Sequence, residues 1–190
     1  MAVLTGHTPD SGIIALSSSV YSTAPFSVSL WCVLLENLAA HPDGYARLAM
    51  QQGAVPAWKL SLVNNGGNQL RFEVITAGGI PVPVNADNFL TINALYHIAA
   101  TADAGLNMLL YVNGVQQAAT TAAASIAPAN DAFCIGIDGS AASGGFAGNL
   151  DDIRFYTRCL SAPEIDTIAH CQGHDSIMYG LYSRFTMRSN

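Results

Sequence analysis

Four oxygen-bearing side chains near predicted strand ends have the chemistry that suits a hard metal ion. They are Asp138, Asn149, Asp151 and Asp152. Calcium in proteins takes about six to eight oxygen ligands from carboxylates, side-chain amides and backbone carbonyls, and loops supply the carbonyls. The alternative is a structural role, in which one of the two adjacent aspartates accepts hydrogen bonds from loop amides and from Arg154 or Arg158. The sequence thus leaves two interpretations open for these residues, a structural role in ion pairing and a calcium site.

Two histidines with zinc-like spacing lie near the C-terminus. His170 and His174 are four residues apart, with Cys171 between them, and on a continuous helix such a pair could bind zinc. Gly173 favours a helix end before His174, so the two imidazoles need not share a face. Histidine also suits a helix C-terminus because the helix dipole favours positive charge there. Helix termination is the preferred interpretation, and we predict no zinc site.

Aromatic side chains could supply a stacking surface for a sugar, beside Asn, Asp and Gly amides. The candidates are Tyr21, Tyr45, Trp58 and Tyr111. The alternative is that these rings lie in or at the edge of a core, where aromatic residues of a sandwich strand commonly pack. His97 is predicted to be a strand residue with a satisfied hydrogen bond rather than a ligand.

The composition excludes several classes of function. The 190-residue chain is 51% hydrophobic and 11% charged, with a net charge of −6. No basic cluster is present, which argues against nucleic-acid binding, and no apolar run approaches the roughly 20 residues of a membrane span. A charged and then apolar leader is not evident after Met1, so we expect no classical secretion signal. The four cysteines are predicted to be buried free thiols, with Cys159–Cys171 as the only suspected pair.

The pattern of short strands predicts an all-β sandwich. Apolar side chains alternate with serines from Phe26 to Leu30, which is typical of a strand with one face in the core. Asn64–Gly67 and Asn113-Gly114 are hairpin turn signals between apolar runs. Residues 1–10 are predicted to be a loop, and the Ala/Thr-rich run 118–129 a loop or an edge strand.

The C-terminal third predicts a strand followed by a helix. Ser161 occupies an N-cap position and Glu164 stands three residues later, the spacing of a capping box. The helix is predicted to span 161–170. Beyond it, residues 180–187 read as a further strand.

Four motifs in order resemble the laminin-G-like, concanavalin A-like superfamily. They are Phe26-Ser-Val-Ser-Leu-Trp, Tyr96-His-Ile-Ala with Asp103, Leu109-Leu-Tyr-Val-Asn-Gly-Val, and the closing segment 146–165. The resemblance implies an all-β fold, a two-sheet antiparallel jelly roll, which often recognises carbohydrate or protein and sometimes binds calcium. We predict one domain over 1–190, with 176–190 as a C-terminal strand or tail.

The terminal strand raises a question of connectivity. Members of this superfamily usually begin with a strand that is missing before Gly12, and residues 180–187 look like it. One explanation is a circular permutation, or a strand donated to a neighbouring subunit. The other is that residues 180–187 form an extra edge strand or a tail.

The carboxylates do not form the pattern of a glycosidase. Enzymes with this fold place acid and nucleophile on one strand face, as in Glu-x-Asp-x-x-Glu. Glu36 and Glu73 have no such partners, and after Glu164 and Asp166 the third position is Ala169. No nucleophile-elbow motif is present. We therefore predict a protein that is not an enzyme.

Few charges, many small residues and a spare strand favour assembly. The resemblance extends to phage structural proteins, so the expected function is a non-catalytic virion surface component, a capsid decoration or tail-associated protein. Its partners would be copies of itself, other particle proteins such as a capsid protein, and cell-surface glycans. The alternative is an extracellular, lectin-like carbohydrate-binding module. No cofactor is implied beyond calcium.

Overall fold

The computed structural model describes residues 2–4, 13–86, 90–129, 132–138, 144–171 and 174–186. In these ranges the strands are β1 (Ala2–Leu4), β2 (Ile13–Ser17), β3 (Phe26–Leu34), β4 (Tyr45–Gln51), β5 (Trp58–Asn64), β6 (Asn68–Ile75), β7 (Pro81–Ala86), β8 (Leu95–Ala102), β9 (Asn107–Val112), β10 (Val115–Thr121), β11 (Ala132–Ile135), β12 (Gly148–Tyr156) and β13 (Leu181–Phe185). A 3₁₀ turn spans Ser19–Ser22, and one α-helix, α1, spans Ala162–Cys171.

The strands form two antiparallel sheets, which confirms the predicted jelly-roll sandwich. One sheet has the order β1-β12-β3-β8-β9-β10, with β13 also paired to β12, and the other has the order β2-β11-β4-β5-β6-β7. Of the Ala/Thr-rich run 118–129, residues 118–121 belong to the edge strand β10, and residues 122–129 follow it without a regular strand. The loop predicted for residues 1–10 is wrong at Ala2–Leu4, because these residues pair with β12.

The C-terminal strand lies within the sheet of its own chain. β13 pairs with residues 153–156 of β12, whereas β1 pairs with residues 148–150. β3 occupies the other edge of β12, so β1 and β13 lie end to end along one edge. The extra strand therefore completes its own sheet here. The far end of the predicted strand, Met187, lies outside the described residues.

The core between the sheets is built around aromatic rings. Phe26, Trp58, Phe133 and Phe155 are all fully buried, and the rings of Phe26 and Phe155 stack with centroids 5.5 Å apart. Aromatic pairs in such arrangements stabilise a core beyond the area they bury. Phe185 of β13 stacks on Phe133 at 5.9 Å, so the last strand belongs to this core.

A second, smaller apolar cluster lies on the outer face of the β12-containing sheet. Its buried members are Ala99, Tyr111, Tyr156, Leu160, Ile165 and Ile168, with Ile177 and Leu181 against them. The helix covers this face, so Ser27 and Ser29 of β3 are fully buried although they point away from the main core. Ser27 Oγ donates to the Arg158 carbonyl and accepts from the Leu160 amide, both at 2.8 Å.

The predicted helix start is confirmed. Glu164 accepts a hydrogen bond from the Ser161 amide at 2.9 Å, which is one half of a capping box. Among the described residues no helix is long and apolar enough to cross a membrane. All four cysteines are free thiols.

Candidate functional site

A buried arginine attaches the C-terminal segment to β12. Arg154 has no exposed side-chain surface and forms bidentate ion pairs with Asp152 and Asp175, with closest contacts of 2.6 and 2.7 Å. Arg184 of β13 adds a 2.6 Å contact to Asp152. We call these four side chains the Arg154 cluster: Asp152, Arg154, Asp175 and Arg184. Two positive and two negative charges balance, which is the condition under which buried charges are tolerated.

The hydrogen bonds from Arg154 hold the pKa of Asp175 at about 2, well below its ordinary value. Asp175 also accepts from the Ile177 amide at 3.0 Å, and the Tyr156 hydroxyl donates to the Ile177 carbonyl at 3.0 Å. These contacts fix the backbone that follows α1. The segment from Asp175 to Ile177 is thus tied to β12 by both charge and hydrogen bonds.

A second set of contacts fixes the turn before β13. The Thr157 amide donates to the Gly180 carbonyl at 2.8 Å, and Arg158 Nε donates to the Tyr179 carbonyl at 2.7 Å. Gly180 has φ +73°, and a Cβ there would lie 2.9 Å from Arg158. The left-handed conformation and the close approach both require glycine at this position. The same guanidinium pairs bidentately with Glu164 at 2.9 and 2.6 Å.

This rigid turn presents apolar side chains to solvent. Tyr179 is 83% exposed, Met178 56% and Tyr182 48%. The Arg158 guanidinium lies 5.2 Å from the centre of the Tyr179 ring, within range of a cation–π contact. Tyr182 packs edge-to-face on buried Tyr21 with centroids 5.3 Å apart. One side of the Tyr182 ring is therefore supported by the core while the side chain stays half exposed.

A shallow pocket lies next to Tyr182 and to the turn at Gly180. Its volume is about 230 Å³, and its lining is Ser19, Val20, Thr23, Ala24, Pro25 and Thr157. Thr157 bonds to Gly180, and the Tyr182 hydroxyl lies 3.3 Å from Ser18 Oγ, next to the lining. We define the tyrosine surface as Tyr179, Tyr182, Arg158, Thr157 and this pocket. It combines exposed rings with hydroxyl groups, a composition suited to ligands that are apolar on one face and polar at the edge.

Three of the four predicted stacking residues are core residues. Tyr21 and Trp58 are 1% and 0% exposed, and Tyr111 is 2% exposed beneath α1. A sugar cannot stack on a ring that the protein already covers, so a stacking role does not fit their burial. Tyr45 is half-buried at the start of β4, with the Arg47 guanidinium 4.2 Å above its ring.

The predicted calcium donors are divided between two sheets. Asp138 follows β11 and contacts Arg47 Nε at 3.2 Å, whereas Asn149, Asp151 and Asp152 belong to β12. Asp151 accepts from the Asp152 amide at 2.8 Å. In the described ranges no group of three His, Cys, Asp or Glu side chains could hold a metal. For Asp152 the structure shows the ion-pairing alternative, with Arg154 as partner, and calcium at these positions stays a prediction.

The histidines are placed as ordinary surface and core residues. α1 ends at Cys171, His174 is exposed, and His170 Nδ1 contacts the Asp166 carbonyl at 2.8 Å. Gly173 lies outside the described residues. The satisfied hydrogen bond predicted for the His97 ring is wrong, because neither buried ring nitrogen has a hydrogen-bond partner among the residues that the structure describes. Burial, together with the positive charge of Arg154, lowers the pKa of His97 to about 4, so the ring is neutral near pH 7.

The outer face of the other sheet carries its own polar side chains. Lys59 pairs with Glu73 at 3.5 Å. Arg71 donates to Asn85 Oδ1 at 2.7 Å. Among the described arginine and lysine side chains, Arg71 is the one for which no carboxylate lies within ion-pair distance. This face therefore differs in charge from the tyrosine surface.

A family model described as the concanavalin A-like lectin/glucanases superfamily matches residues 8–166. The chain belongs to this superfamily. A comparison with curated proteins gives no significant match. Superfamily membership agrees with the two antiparallel sheets and with the motifs that carried the resemblance.

Solved structures similar to this superfamily member include several jelly-roll domains. Domain 4 of AbnA, a GH43 extracellular arabinanase from Geobacillus stearothermophilus in complex with arabinotriose, has a TM-score of 0.68 and 23% identity over 88% of this chain and 75% of that one. A putative carbohydrate binding protein from Bacteroides ovatus scores 0.64 at 19% identity over 92% of this chain but 48% of its own. The CBM40 of the Ruminococcus gnavus IT-sialidase, bound to α2,3 sialyllactose, has a TM-score of 0.60 and 15% identity. The match covers 84% of this chain and 94% of that one.

The tyrosine surface was missed by sequence reasoning. Its rings come from the segment 174–186, which lies beyond the residues that the superfamily model matches. Two features of the sequence could have indicated it. Met178-Tyr179-Gly180 is typical of a turn, and Asp175 and Arg184 are charged residues that can form ion pairs. Neither points to a site until β13 is known to lie beside β12.

Proposed function

We propose that this superfamily member is a non-catalytic carbohydrate-binding module and that it binds glycans at the tyrosine surface. The observation that carries the proposal is Tyr179, which is 83% exposed on a turn fixed by Arg158 and Gly180. A large exposed ring on a rigid backbone adds contact area at a small entropic cost. The similar structures that are named for carbohydrate binding, or that hold an oligosaccharide, support the same class of ligand.

The state of the nearby carboxylates supports a role without catalysis. A glycosidase needs a general acid whose pKa is raised towards neutrality. Hydrogen bonds from arginines instead hold the pKa values of Glu164 and Asp175 at about 2. Glu73 is paired with Lys59. Glu164 and Asp175 therefore remain ionised at neutral pH and lack the proton that a general acid must donate.

Binding to a glycan microarray, followed by calorimetry on the best ligand, tests the proposal. We expect Tyr179→Ala and Tyr182→Ala to weaken binding at least tenfold, because each removes a stacking face. Tyr45→Ala is the matched control, since it removes a half-exposed ring from the other sheet. Loss of binding in Tyr45→Ala with no effect of the other two changes would contradict this location. Release of reducing sugar from any bound glycan would contradict the absence of catalysis.

An assembly role is a second candidate, and an exposed apolar patch favours it. Leu35, Ile92 and Leu95 are 44%, 46% and 49% exposed. Leu95 pairs with Val33 across β3 and β8, and the Asn93 amide donates to the Leu34 carbonyl at 2.7 Å, which brings the three side chains to one end of the sandwich. Grouped apolar side chains of this kind commonly mark interfaces. The virion surface component expected from the sequence would use such a patch for self-association.

A further inference from the structure

The charge of the tyrosine surface is internally balanced. Arg158 is held by both oxygens of Glu164 at 2.9 and 2.6 Å, so its positive charge is matched within the site. None of the six residues that line the adjacent pocket is ionisable. The hydroxyls of Ser19, Thr23 and Thr157 provide hydrogen-bonding groups without charge. An acidic ligand would therefore gain no unpaired cation here.

The size of the pocket limits what it can enclose. At about 230 Å³ it is smaller than the roughly 300–1,000 Å³ typical of pockets for drug-sized ligands. One sugar ring fits this volume, and a longer chain must continue outside it. Tyr182 borders the pocket through Ser18, and Tyr179 projects from the turn three residues earlier. Thr157 of the pocket lining donates to the carbonyl of Gly180, the residue after Tyr179, so the pocket is connected to the turn that carries the Tyr179 ring.

We infer that the tyrosine surface binds an uncharged oligosaccharide, with one sugar in the pocket beside Tyr182 and the next on the Tyr179 ring. This inference rests on the proposed function and deepens it. It predicts two properties that glycan binding alone does not: a preference for neutral over acidic sugars, and a requirement for at least two linked residues.

Arg71, in the other sheet, is a different position at which an acidic ligand could bind. Arg71, on the outer face of the other sheet, bonds to the neutral amide of Asn85 and, within the described ranges, to no carboxylate. Arginine recognises carboxylates through its fork of N–H donors. A sialylated or uronic acid ligand would therefore be drawn to Arg71 rather than to Arg158. Arg71→Ala and Tyr179→Ala separate the two surfaces.

The experiment compares neutral oligosaccharides, their monosaccharides and acidic counterparts on the full chain. The array carries arabinotriose, other neutral trisaccharides, α2,3-sialyllactose and a uronic acid trimer, and calorimetry follows at low and high salt. We expect a neutral trisaccharide to bind about tenfold more tightly than its monosaccharide. Tyr179→Ala should remove that advantage, so that the trisaccharide binds no more tightly than its monosaccharide. Tyr182→Ala should weaken both ligands, and Tyr182→Phe should retain both.

The outcomes distinguish the inference from the proposed function. Salt-independent binding that is unchanged in Arg71→Ala supports the inference. Preferred binding of acidic glycans that falls steeply with salt, or is lost in Arg71→Ala, overturns the inference while glycan binding itself stands. Equal affinity for a monosaccharide and its trisaccharide overturns the second sugar position. Failure to bind any glycan on the array overturns both.

Discussion

Arg154 is a single residue that connects strand β12 of the sandwich to the C-terminal segment. Its guanidinium is fully buried and donates hydrogen bonds to all four carboxylate oxygens of Asp152 and Asp175. Burying a cation costs several kcal/mol unless partners of opposite charge surround it. Asp175 is the partner supplied by the C-terminal segment. Its loss therefore acts on the burial of Arg154 as well as on the segment itself.

Asp175→Asn is expected to lower the free energy of unfolding by about 3 kcal/mol, because it leaves the buried Arg154 with one carboxylate in place of two. Urea unfolding measures the change. Asp166→Asn is the control, since the Asp166 side chain is 59% exposed on α1 and its loss should change stability by less than about 0.5 kcal/mol. Equal effects of the two substitutions would contradict a role for the buried pair.

Asp175 should also make the free energy of unfolding depend on pH. The pKa of Asp175 is about 2 in the folded chain, against about 3.9 in an unfolded one. A depressed pKa stabilises the folded state fully above pH about 4, and this contribution is lost as the pH falls towards 2. We expect the unfolding free energy to fall less steeply between pH 4 and 2 in Asp175→Asn than in the unmodified protein. Parallel slopes would show that Asp175 does not titrate with folding.

At this scale the sequence predicted residue chemistry better than residue partners. The ion-pairing alternative for the two adjacent aspartates named Arg154 or Arg158. The structure shows Arg154 as the partner of Asp152, whereas Arg158 pairs with Glu164. Asp175 could not be predicted as the second partner, because it lies 21 residues from Arg154 and its position depends on how the chain leaves α1. The burial of Trp58 was likewise undetermined, since alternation places a ring on one face of a strand without saying which face is covered.

At the scale of elements, β13 and the turn before it act as one unit. β13 pairs with β12, Phe185 enters the aromatic core, and Arg184 joins the Arg154 cluster. The superfamily match ends at residue 166, so this unit lies outside the matched range. Its several attachments imply that it supports the sandwich as well as carrying the tyrosine surface.

A chain that ends at Cys171 tests this role. Removing the segment after it exposes Arg154, takes away Asp175 and uncovers the Phe133 ring, so we expect a loss of more than about 3 kcal/mol in unfolding free energy. A chain that ends at Thr186 is the matched control, because it retains β13. Thermal and urea unfolding compare the two. Equal stability of both truncated chains would contradict a structural role for β13.

Strands and hairpins were predictable because their signals are local. Alternation in β3, Asn-Gly turns and the Ser161–Glu164 cap depend on residues close in sequence. The covered outer face was not predictable. Ser27 and Ser29 read as solvent-facing, yet α1 buries them through a crossover that no local pattern records. β1 was missed because three residues are too few to show a period.

For the whole molecule, the ion pairs of the predicted calcium donors determine whether calcium should change stability. Asp138 and Asp152 already contact Arg47 and Arg154, so a calcium ion would have to displace guanidinium groups. We expect the same melting temperature in excess calcium and in EDTA, because a ligand stabilises a protein only if it binds the folded state. A higher melting temperature in calcium would support the metal site and require those arginines to move.

The small size of the exposed apolar patch limits how strongly the chain can associate with itself. A stable interface buries about 800 Å² on each partner, roughly a tenth of the 7,934 Å² of accessible surface found here. Leu35, Ile92 and Leu95 could form the apolar centre of such an area but not all of it. We therefore expect a weak, concentration-dependent association by light scattering, unaffected by EDTA.

Leu95→Gln should abolish that association, because a polar side chain at the centre of the patch removes its apolar contact. Ile80→Gln is the control, since Ile80 is 65% exposed on the hairpin between β6 and β7, in the other sheet. If neither substitution changes an observed oligomer, another surface mediates assembly. If the unmodified chain is monomeric at all concentrations, the assembly role loses its support. Glycan binding then remains the function that the exposed tyrosines favour.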